Sequence, residues 1–378
     1  MFSATGYGDI ASSFFIIYYF LDFVMSKIAF LGDCHFGARG DSMYFHKFFQ
    51  KFYDDVFFPY LIQNNISTVI QLGDLFDRRK YTNHITLFEA NNYFFSKFDA
   101  FDIKLITLLG NHDLAYKESL SISSSGLFLK QFKNVTVVQE PTRLLNGISI
   151  IPWICKENYQ ECLDFIKTDT SSVCVGHFEI QGFKMYQSSI LSEHGLSAKM
   201  FSNYETVLSG HYHHASKRGN IEYIGTPYEM TWQDFGDPKG FRVFDLETRE
   251  LDTVKNPNSI FYKMEYDDSG SGDVTTSSYL DTKFLSEVIG KYVKIQVKAK
   301  TNPYLFDLFV DRVYANNPID VSITEDVVDL EIEEDVDETD DTLTITYKYI
   351  DSINQQELDK NKLKTMMSNL YTEAMAVE

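Results

Sequence analysis

The chain has 378 residues, 44% of them hydrophobic, enough apolar material for a sizeable core and two domains. Its net charge of −20 argues against loose binding of nucleic acid through a basic surface, although metal ions bound at a site would supply positive charge locally. The acidity is uneven, with 24 Lys/Arg against 30 Asp/Glu in residues 1–265 and 10 against 24 in residues 266–378. Four cysteines (Cys34, Cys155, Cys162, Cys174) show no paired spacing, which argues against a disulfide framework and suits a reduced, cytosolic setting.

Residues 1–26 form an N-terminal extension. Its stretch from Phe14 to Met25 is almost wholly apolar but broken by Asp22. That stretch is too short for a membrane span, and without a preceding Lys or Arg it makes a poor signal peptide. Met25-Ser26-Lys27-Ile28 looks like a natural start just before the first strand; the other reading of the extension is a peripheral hydrophobic arm. Lys27 to Leu31 reads as that strand, running into Gly32-Asp33-Cys34-His35. On extended backbone Asp33 and His35 point to one side and face one metal ion, while Cys34 points away into packing. Residues 42–65 read as a helix with Phe45, Phe48, Phe49, Phe52, Val56 and Phe57 on a core face.

Thr68 to Leu72 is a second strand, followed by Gly73-Asp74-Leu75-Phe76-Asp77 and the basic triplet Arg78-Arg79-Lys80. The triplet is read either as a solvated turn or as a grip on phosphates. A helix around 84–99 leads to a third strand, Leu105 to Leu108, and to Leu109-Gly110-Asn111-His112-Asp113. An amide, an imidazole and a carboxylate side by side at a strand tip are costly as plain structure, because each buried polar group needs a partner. Residues 134–154 read as two more strands around a turn at Asn146-Gly147, and 156–168 as a helix. Ser172 to Val175 runs into Gly176-His177, and Val207 to Ser209 into Gly210-His211-Tyr212-His213-His214. Residues 221–224 read as a strand before Gly225-Thr226-Pro227, and 240–246 as one that 251–255 can pair with.

Five strand-like segments thus end in a glycine followed by a residue able to bind metal: Asp33, His35, Asp74, Asn111, His112, His177, His211 and His213. A lone histidine is ordinarily a core or surface residue, but five such endings, holding five of the nine histidines, are a poor coincidence. Oxygen donors mixed with imidazoles suit Mn, Fe, Zn or Co rather than Ca or a thiolate-held metal. Seven ligands are too many for one open catalytic ion and suit two ions sharing a carboxylate, with a shared hydroxide as nucleophile toward a phosphoryl group.

The order Asp-x-His, Gly-Asp-x-x-Asp, Gly-Asn-His-Asp, Gly-His, Gly-x-His resembles the calcineurin-like metallophosphoesterases. Residues 73–80, Ile151-Pro152-Trp153, residues 175–179 and Tyr223-Ile224-Gly225-Thr226-Pro227 look like the SbcD-type double-strand-break-repair nucleases, in the branch that T-even phages pair with an SbcC-type ATPase. The resemblance is strong over roughly residues 27–255. It implies an α/β fold of two packed mixed β-sheets flanked by helices, with a small α/β cap over 256–350 and a C-terminal helix over 351–378. It implies two Mn ions, with Mg, Fe, Zn or Co as alternatives. Asp33, His35 and His213 would hold one ion, Asn111, His177 and His211 the other, and Asp74 would bridge. His112 would stabilise the transition state or protonate the leaving oxygen, with Asp113 orienting it. Some nuclease members carry a histidine where this chain has Asp77, so a second proton donor is in doubt. His214 matches no ligand position. The implied partners are DNA, an SbcC-type coiled-coil ATPase, and a second copy of the chain through helices near 42–65 and 84–99, in a heterotetramer. The implied setting is the cytoplasm, that of the host if the chain is phage-encoded, with no membrane.

The C-terminal third says less. Tyr292 to Ala299 is strand-like, and Leu305 to Tyr314 and Leu343 to Ile350 are further apolar stretches. The run 325–341 holds eleven acidic residues and no basic one, which suits a solvated loop, a DNA-mimicking or autoinhibitory role being the alternative. Leu358, Leu363, Met367, Leu370, Tyr371 and Met375 recur at mostly helical spacing, a face for the ATPase partner or for the chain's own cap. The functional expectation is a Mn-dependent DNA exo/endonuclease subunit of a recombination and repair complex. A phosphomonoesterase or small-molecule phosphodiesterase on the same scaffold, and a non-catalytic scaffold subunit, are the alternatives.

Overall fold

A computed structural model describes residues 27–144, 146–269, 285–325, 347, 350 and 360–375. Residues 1–26, and all of the acidic run 325–341 except Glu325, lie outside the described residues, as does most of Leu343 to Ile350. The chain divides after Asp326 into two compact units. The described core of the second unit is a helix, Lys360–Met375. No helix among the described residues is long and apolar enough to cross a membrane.

The first unit is built on two six-stranded sheets. In the first, Lys27–Leu31, Thr68–Gln71, Lys104–Leu108 and Val135–Val138 run parallel. Gly240–Asp245 pairs antiparallel with Lys27–Leu31, and Leu251–Lys255 with Gly240–Asp245. In the second, Ile148–Ile151, Val173–His177, Thr206–Gly210 and Ile221–Tyr223 run parallel, with Thr142–Arg143 and Ser216–Arg218 antiparallel at the two edges. Strands covered on both faces need apolar side chains on both, which explains their nearly continuous runs of Ile, Val and Leu. Alternation then sorts the faces. Ile28 and Phe30 face Ile150, Val175 and Leu208 of the other sheet, while Ala29 and Leu31 face the helices. The outer face of the second sheet packs Cys174, Val207 and Tyr223 with Cys162 and Ile166 of the helix Tyr159–Thr168.

The helix expected over 42–65 spans 43–63, and the one expected over 84–99 spans 84–100; each carries a π-helical turn, at Tyr53–Phe57 and Asn91–Phe95. Such a turn shifts the side-chain register and often marks a site. Here Tyr53, in one of these turns, hydrogen-bonds inward: its hydroxyl donates to the Cys34 thiol and meets the Tyr228 hydroxyl, which donates to the Cys34 carbonyl at 2.7 Å. The region 134–154 differs from the reading of two strands about one turn. Val135–Val138 joins the first sheet, and only Thr142–Arg143 and Ile148–Ile151 form the hairpin, in the second. Short apolar runs carry no mark of which sheet they enter.

A parallel three-stranded sheet, Phe261–Asp267, Tyr292–Ala299 and Asp320–Glu325, follows, with the helix Pro303–Ala315 between its last two strands. It has its own core, including Tyr266, Ile295, Phe309 and Val313. It is tied to the sandwich by Phe45 against Phe261 and Tyr292, and by the Glu229 carboxylate, which accepts from the amides of Ile260 and Phe261.

Candidate metal centre

In open parallel sheets the loops leaving the carboxyl ends of the strands form the ligand site. Asp33, Asp74 and Asn111 follow three neighbouring strands of the first sheet; His177 ends one strand of the second and His211 follows the next. The buried side chain of Gln71 ties the first-sheet ends together, donating to the Gly32 carbonyl and accepting from the Thr107 hydroxyl at 2.6 Å. The glycines before the ligands are needed for close approach. A Cβ on Gly110 would stand 2.1 Å from Oδ1 of Asp74, and one on Gly210 2.5 Å from Oδ1 of Asp33.

Two groups of three result: Asp33, His35 and His213, and Asp74, His177 and His211, with the ligand atoms of each group all within 4.8 Å of one another. Asn111 joins the second group, its Oδ1 2.9 Å from Nε2 of His177. Oδ2 of Asp74 is 3.1 Å from Nε2 of His177 and 3.9 Å from Nε2 of His35, so this carboxylate stands between the groups. His177 donates Nδ1–H to the Leu72 carbonyl at 2.7 Å, which aims Nε2 inward. The expected extended Asp33-Cys34-His35 is corrected. His35 has φ 44°, and Asp74 (φ 53°) and His211 (φ 86°) share this left-handed backbone. Each costs on the order of 1–3 kcal/mol, held by the surrounding structure. The amides of Cys34 and His35 both donate to the Asp74 carbonyl at 3.0 Å, and the His211 amide donates to the Asp33 carboxylate. Cys34 is fully buried in the core.

The electrostatics are those of a site built around positive charge. Burial opposes a proton on His35, but Asp77, Asp74 and Asp33 outweigh it and raise its pKa to about 10. Burial likewise opposes one on His177, and Asp74 and Asp33 raise it to about 9. Burial, then the neighbouring His35, lowers His213 to about 3; burial and His177 hold His211 well below the usual imidazole range. Burial also pushes Asp33 up to about 6, while His177 and the other imidazoles hold Asp74 well below the carboxylate range against its own burial. Nε2 of His35 and Nδ1 of His213 are buried without a hydrogen-bond partner among the described residues, while Nδ1 of His35 lies 3.4 Å from Oδ1 of Asp77. Orphaned imidazole nitrogens beside carboxylates are what divalent ions satisfy, so the donor set fits them.

His112 lies at the edge of the groups, its ring 4.7 Å from that of His35. Its amide donates to Oδ1 of Asp74, and its Nδ1 is 2.6 Å from the Asp77 carbonyl oxygen. The orienting role expected of Asp113 is therefore corrected. The Asp113 carboxylate accepts from the amides of Asp74, Leu75 and Gly110 and from the Ser125 hydroxyl, holding backbone rather than imidazole. A carboxylate at a strand end serves buried amides first, since an unpaired amide is costly.

The basic triplet is only partly available. Arg78 pairs with Asp41 at 3.2 Å and bonds the Tyr81 hydroxyl; Arg79 is half-buried and Lys80 exposed. His214 meets Asp237 at 2.9 Å. Sequence reading missed the buried Lys239, which pairs with Asp234 and Asp237 and donates to the His213 carbonyl, fixing that ligand's backbone. Its only signal was a lysine and two aspartates within residues 234–239. Sequence reading also gave no role to Trp153, whose ring lies 5.1 Å from that of His211.

The chain belongs to the calcineurin-like phosphoesterases: the family model for "Calcineurin-like phosphoesterase" matches residues 26–240. The enzyme is thus a metal-dependent phosphoesterase. It is 33% identical over 352 residues to exonuclease subunit 1 of Enterobacteria phage T4, covering 92% of this chain and 99% of that one. It is also 28% identical over 109 residues to a subunit of the nuclease SbcCD from Staphylococcus epidermidis, 25% of this chain and 29% of that one. A solved archaeal phosphodiesterase aligns with 61% of this chain and 99% of its own at 12% identity, with a TM-score of 0.29, too low to bear on the assignment.

Proposed function

We propose that this phosphoesterase is a Mn-dependent DNA nuclease with exo- and endonuclease action, the catalytic subunit of a recombination and repair complex. The observation that carries the reading is Asp74 standing between two ligand groups, with His112 at their edge. The similarity to a phage exonuclease subunit over nearly the whole chain supports DNA as the substrate. In this reading Asp33, His35 and His213 would hold one Mn ion, Asn111, His177 and His211 would hold a second, and Asp74 would be shared between them. When bound, the two ions supply positive charge to the phosphoryl oxygens and lower the pKa of a water. His112, with Nδ1 held on the Asp77 carbonyl, turns Nε2 to the leaving oxygen and delivers its proton. Asp113 positions the backbone that carries Asp74 and Gly110.

The three-stranded module serves as the cap of this nuclease, and the helix Lys360–Met375 as the docking segment for an SbcC-type ATPase. The helices 43–63 and 84–100 form the contact with a second copy; they carry exposed Ile62, Ile85 and Phe88. Four buried, unpaired cysteines agree with the reducing cytoplasm we assign to it. A phosphodiesterase acting on a small substrate is the second reading, favoured by one observation: Arg78 is engaged by Asp41 and Tyr81 rather than open to a DNA backbone. The test is digestion of single- and double-stranded DNA with Mn, with and without an SbcC-type ATPase. Degradation in either setting is expected; DNA left intact in both, with hydrolysis of a small aryl phosphodiester, would favour the second reading.

A further inference from the structure

Beside the second ligand group lies a pocket of about 210 Å³, bounded by Trp153, Tyr159, His177, Phe178, Glu179 and Gly195 among others. We propose that this pocket receives the nucleobase of the nucleotide adjoining the scissile phosphate, held by the aromatic rings of Trp153 and Tyr159 and by the Glu179 carboxylate; the proposal presupposes the nuclease reading.

Position supports it first. His177 belongs both to the pocket wall and to the ligand group, and the Trp153 ring lies 5.8 Å from that of His177 and 5.1 Å from that of His211. A phosphate engaged at the ligand groups therefore has its neighbouring sugar and base within reach of the pocket. Size agrees as well: pockets for drug-sized ligands begin at about 300 Å³, so this one suits a single ring system rather than a whole nucleotide.

Chemistry narrows the occupant. Aromatic faces stack any base. The Glu179 carboxylate, the Trp153 indole N–H and the Tyr159 hydroxyl make no hydrogen bond among the described residues, although all three line one pocket. A carboxylate accepts from N–H and repels carbonyl oxygen, so bases with an exocyclic amino group are favoured over thymine. Such a base must leave its stack, which is easiest at a frayed end or in single-stranded DNA.

The walls are fixed in advance. The Trp153 amide donates to the Leu109 carbonyl at 2.7 Å, beside Gly110 and Asn111. The buried Asn158 accepts from the Cys155 amide and donates to the Trp153 carbonyl, closing the loop from which Tyr159 begins its helix. Opposite, Gly195 (φ +97°) lets the chain approach the Glu179 carbonyl, from which a Cβ would stand 2.3 Å. This gives the Trp of Ile151-Pro152-Trp153 a role that metal binding alone does not.

The test uses the full chain with Mn and end-labelled oligonucleotides that carry, at one position, a normal nucleotide or an abasic analogue. Wild type is expected to cut beside the abasic position about tenfold more slowly, the order of one lost stacking contact. Tyr159→Ala and Glu179→Gln are expected to bring that ratio toward one, and Glu179→Gln to narrow the preference for dA over dT. Equal rates beside normal and abasic positions in wild type, or a ratio that neither variant moves, would overturn the proposal. If wild type leaves DNA uncut, the nuclease reading fails on its own, and the pocket is judged by fluorescence. In a Trp232→Phe background Trp153 is the sole tryptophan. Quenching by dAMP but not by deoxyribose 5-phosphate upholds base binding, and equal response to both overturns it.

Discussion

The first sheet ends in oxygen donors, Asp33, Asp74 and Asn111, joined by the imidazole of His35; the second ends in imidazoles alone, His177, His211 and His213. Each ligand group draws from both sheets, so neither sheet forms a complete group by itself. The inter-sheet core, where Ile28 and Phe30 meet Ile150, Val175 and Leu208, is therefore part of the site. The oxygen side carries the carboxylate charge and two of the three site residues in left-handed backbone, His211 on the other side being the third. Asp74 and His35 sit in left-handed backbone there, and the carboxylates raise the pKa of His35 and of His177 across the gap. The lesson is that the sheets differ in donor chemistry but share the geometry.

The largest break in that comparison is Asp74→Asn. Because Asp74 lies between the groups, its loss should lower phosphodiester hydrolysis by more than the about 10²–10³-fold that removal of one charge-stabilising group costs. It should also weaken metal binding at both positions, read by calorimetry, whereas Asp33→Asn should weaken it at one. Phe30→Ala tests the shared core. We expect a loss of about 3–5 kcal/mol in denaturant unfolding, with metal affinity falling in both groups together. Asp113→Asn replaces acceptor oxygen with a donor facing the amides of Asp74, Leu75 and Gly110. It should lower activity about 10–100-fold, as loss of supporting contacts to a metal site does, while leaving all seven proposed ligands in place.

The smallest effect sharpens the view of the second sheet alone. Asp169 supports its edge, accepting from Ser149, Arg143 and Ser171. Burial works against its charge, but the bonds from Ser149, Arg143 and others hold its carboxyl below the usual range. A carboxyl that holds its proton less tightly folded than unfolded contributes stability above about pH 4 and loses it as pH falls through the lowered value. Asp169→Asn should therefore lower stability near neutrality, where the contribution is present, and change it least at the acid end, which flattens the acid limb of the stability curve, measured by thermal unfolding across pH 3–7.

Much of the site was legible because its elements are local. An apolar run, a glycine and a polar ligand announce a strand end wherever they occur, and the glycine is explained once Gly110 and Gly210 are seen against the neighbouring ligands' carboxylates. What stayed hidden was long-range. The pairing of Val135–Val138 with the first sheet depends on a neighbour some thirty residues away. The hairpin of Leu114–Tyr116 with Ser119–Ser123 was missed although Ser119–Ser123 alternates, since its apolar Leu120 and Ile122 do not join a core. Asp113 binding the amides of residues 74–75, and Lys239 holding His213, join segments whose adjacency no periodicity encodes. The left-handed turn at His35 was missed for a related reason: Asp-x-His reads as extended, and only the Asp74 carbonyl, accepting from two successive amides, bends it.

The most direct test of two sheets sharing one metal-dependent nuclease centre is Mn-dependent digestion of end-labelled double-stranded DNA, wild type beside His112→Ser, with bound Mn measured in both. We expect two Mn in each protein, DNA degraded by wild type, and a rate about 10²–10⁴-fold lower in the variant, the range of a lost general acid. Equal rates in the two proteins, or wild type that binds no Mn and hydrolyses no phosphodiester, would contradict a shared centre.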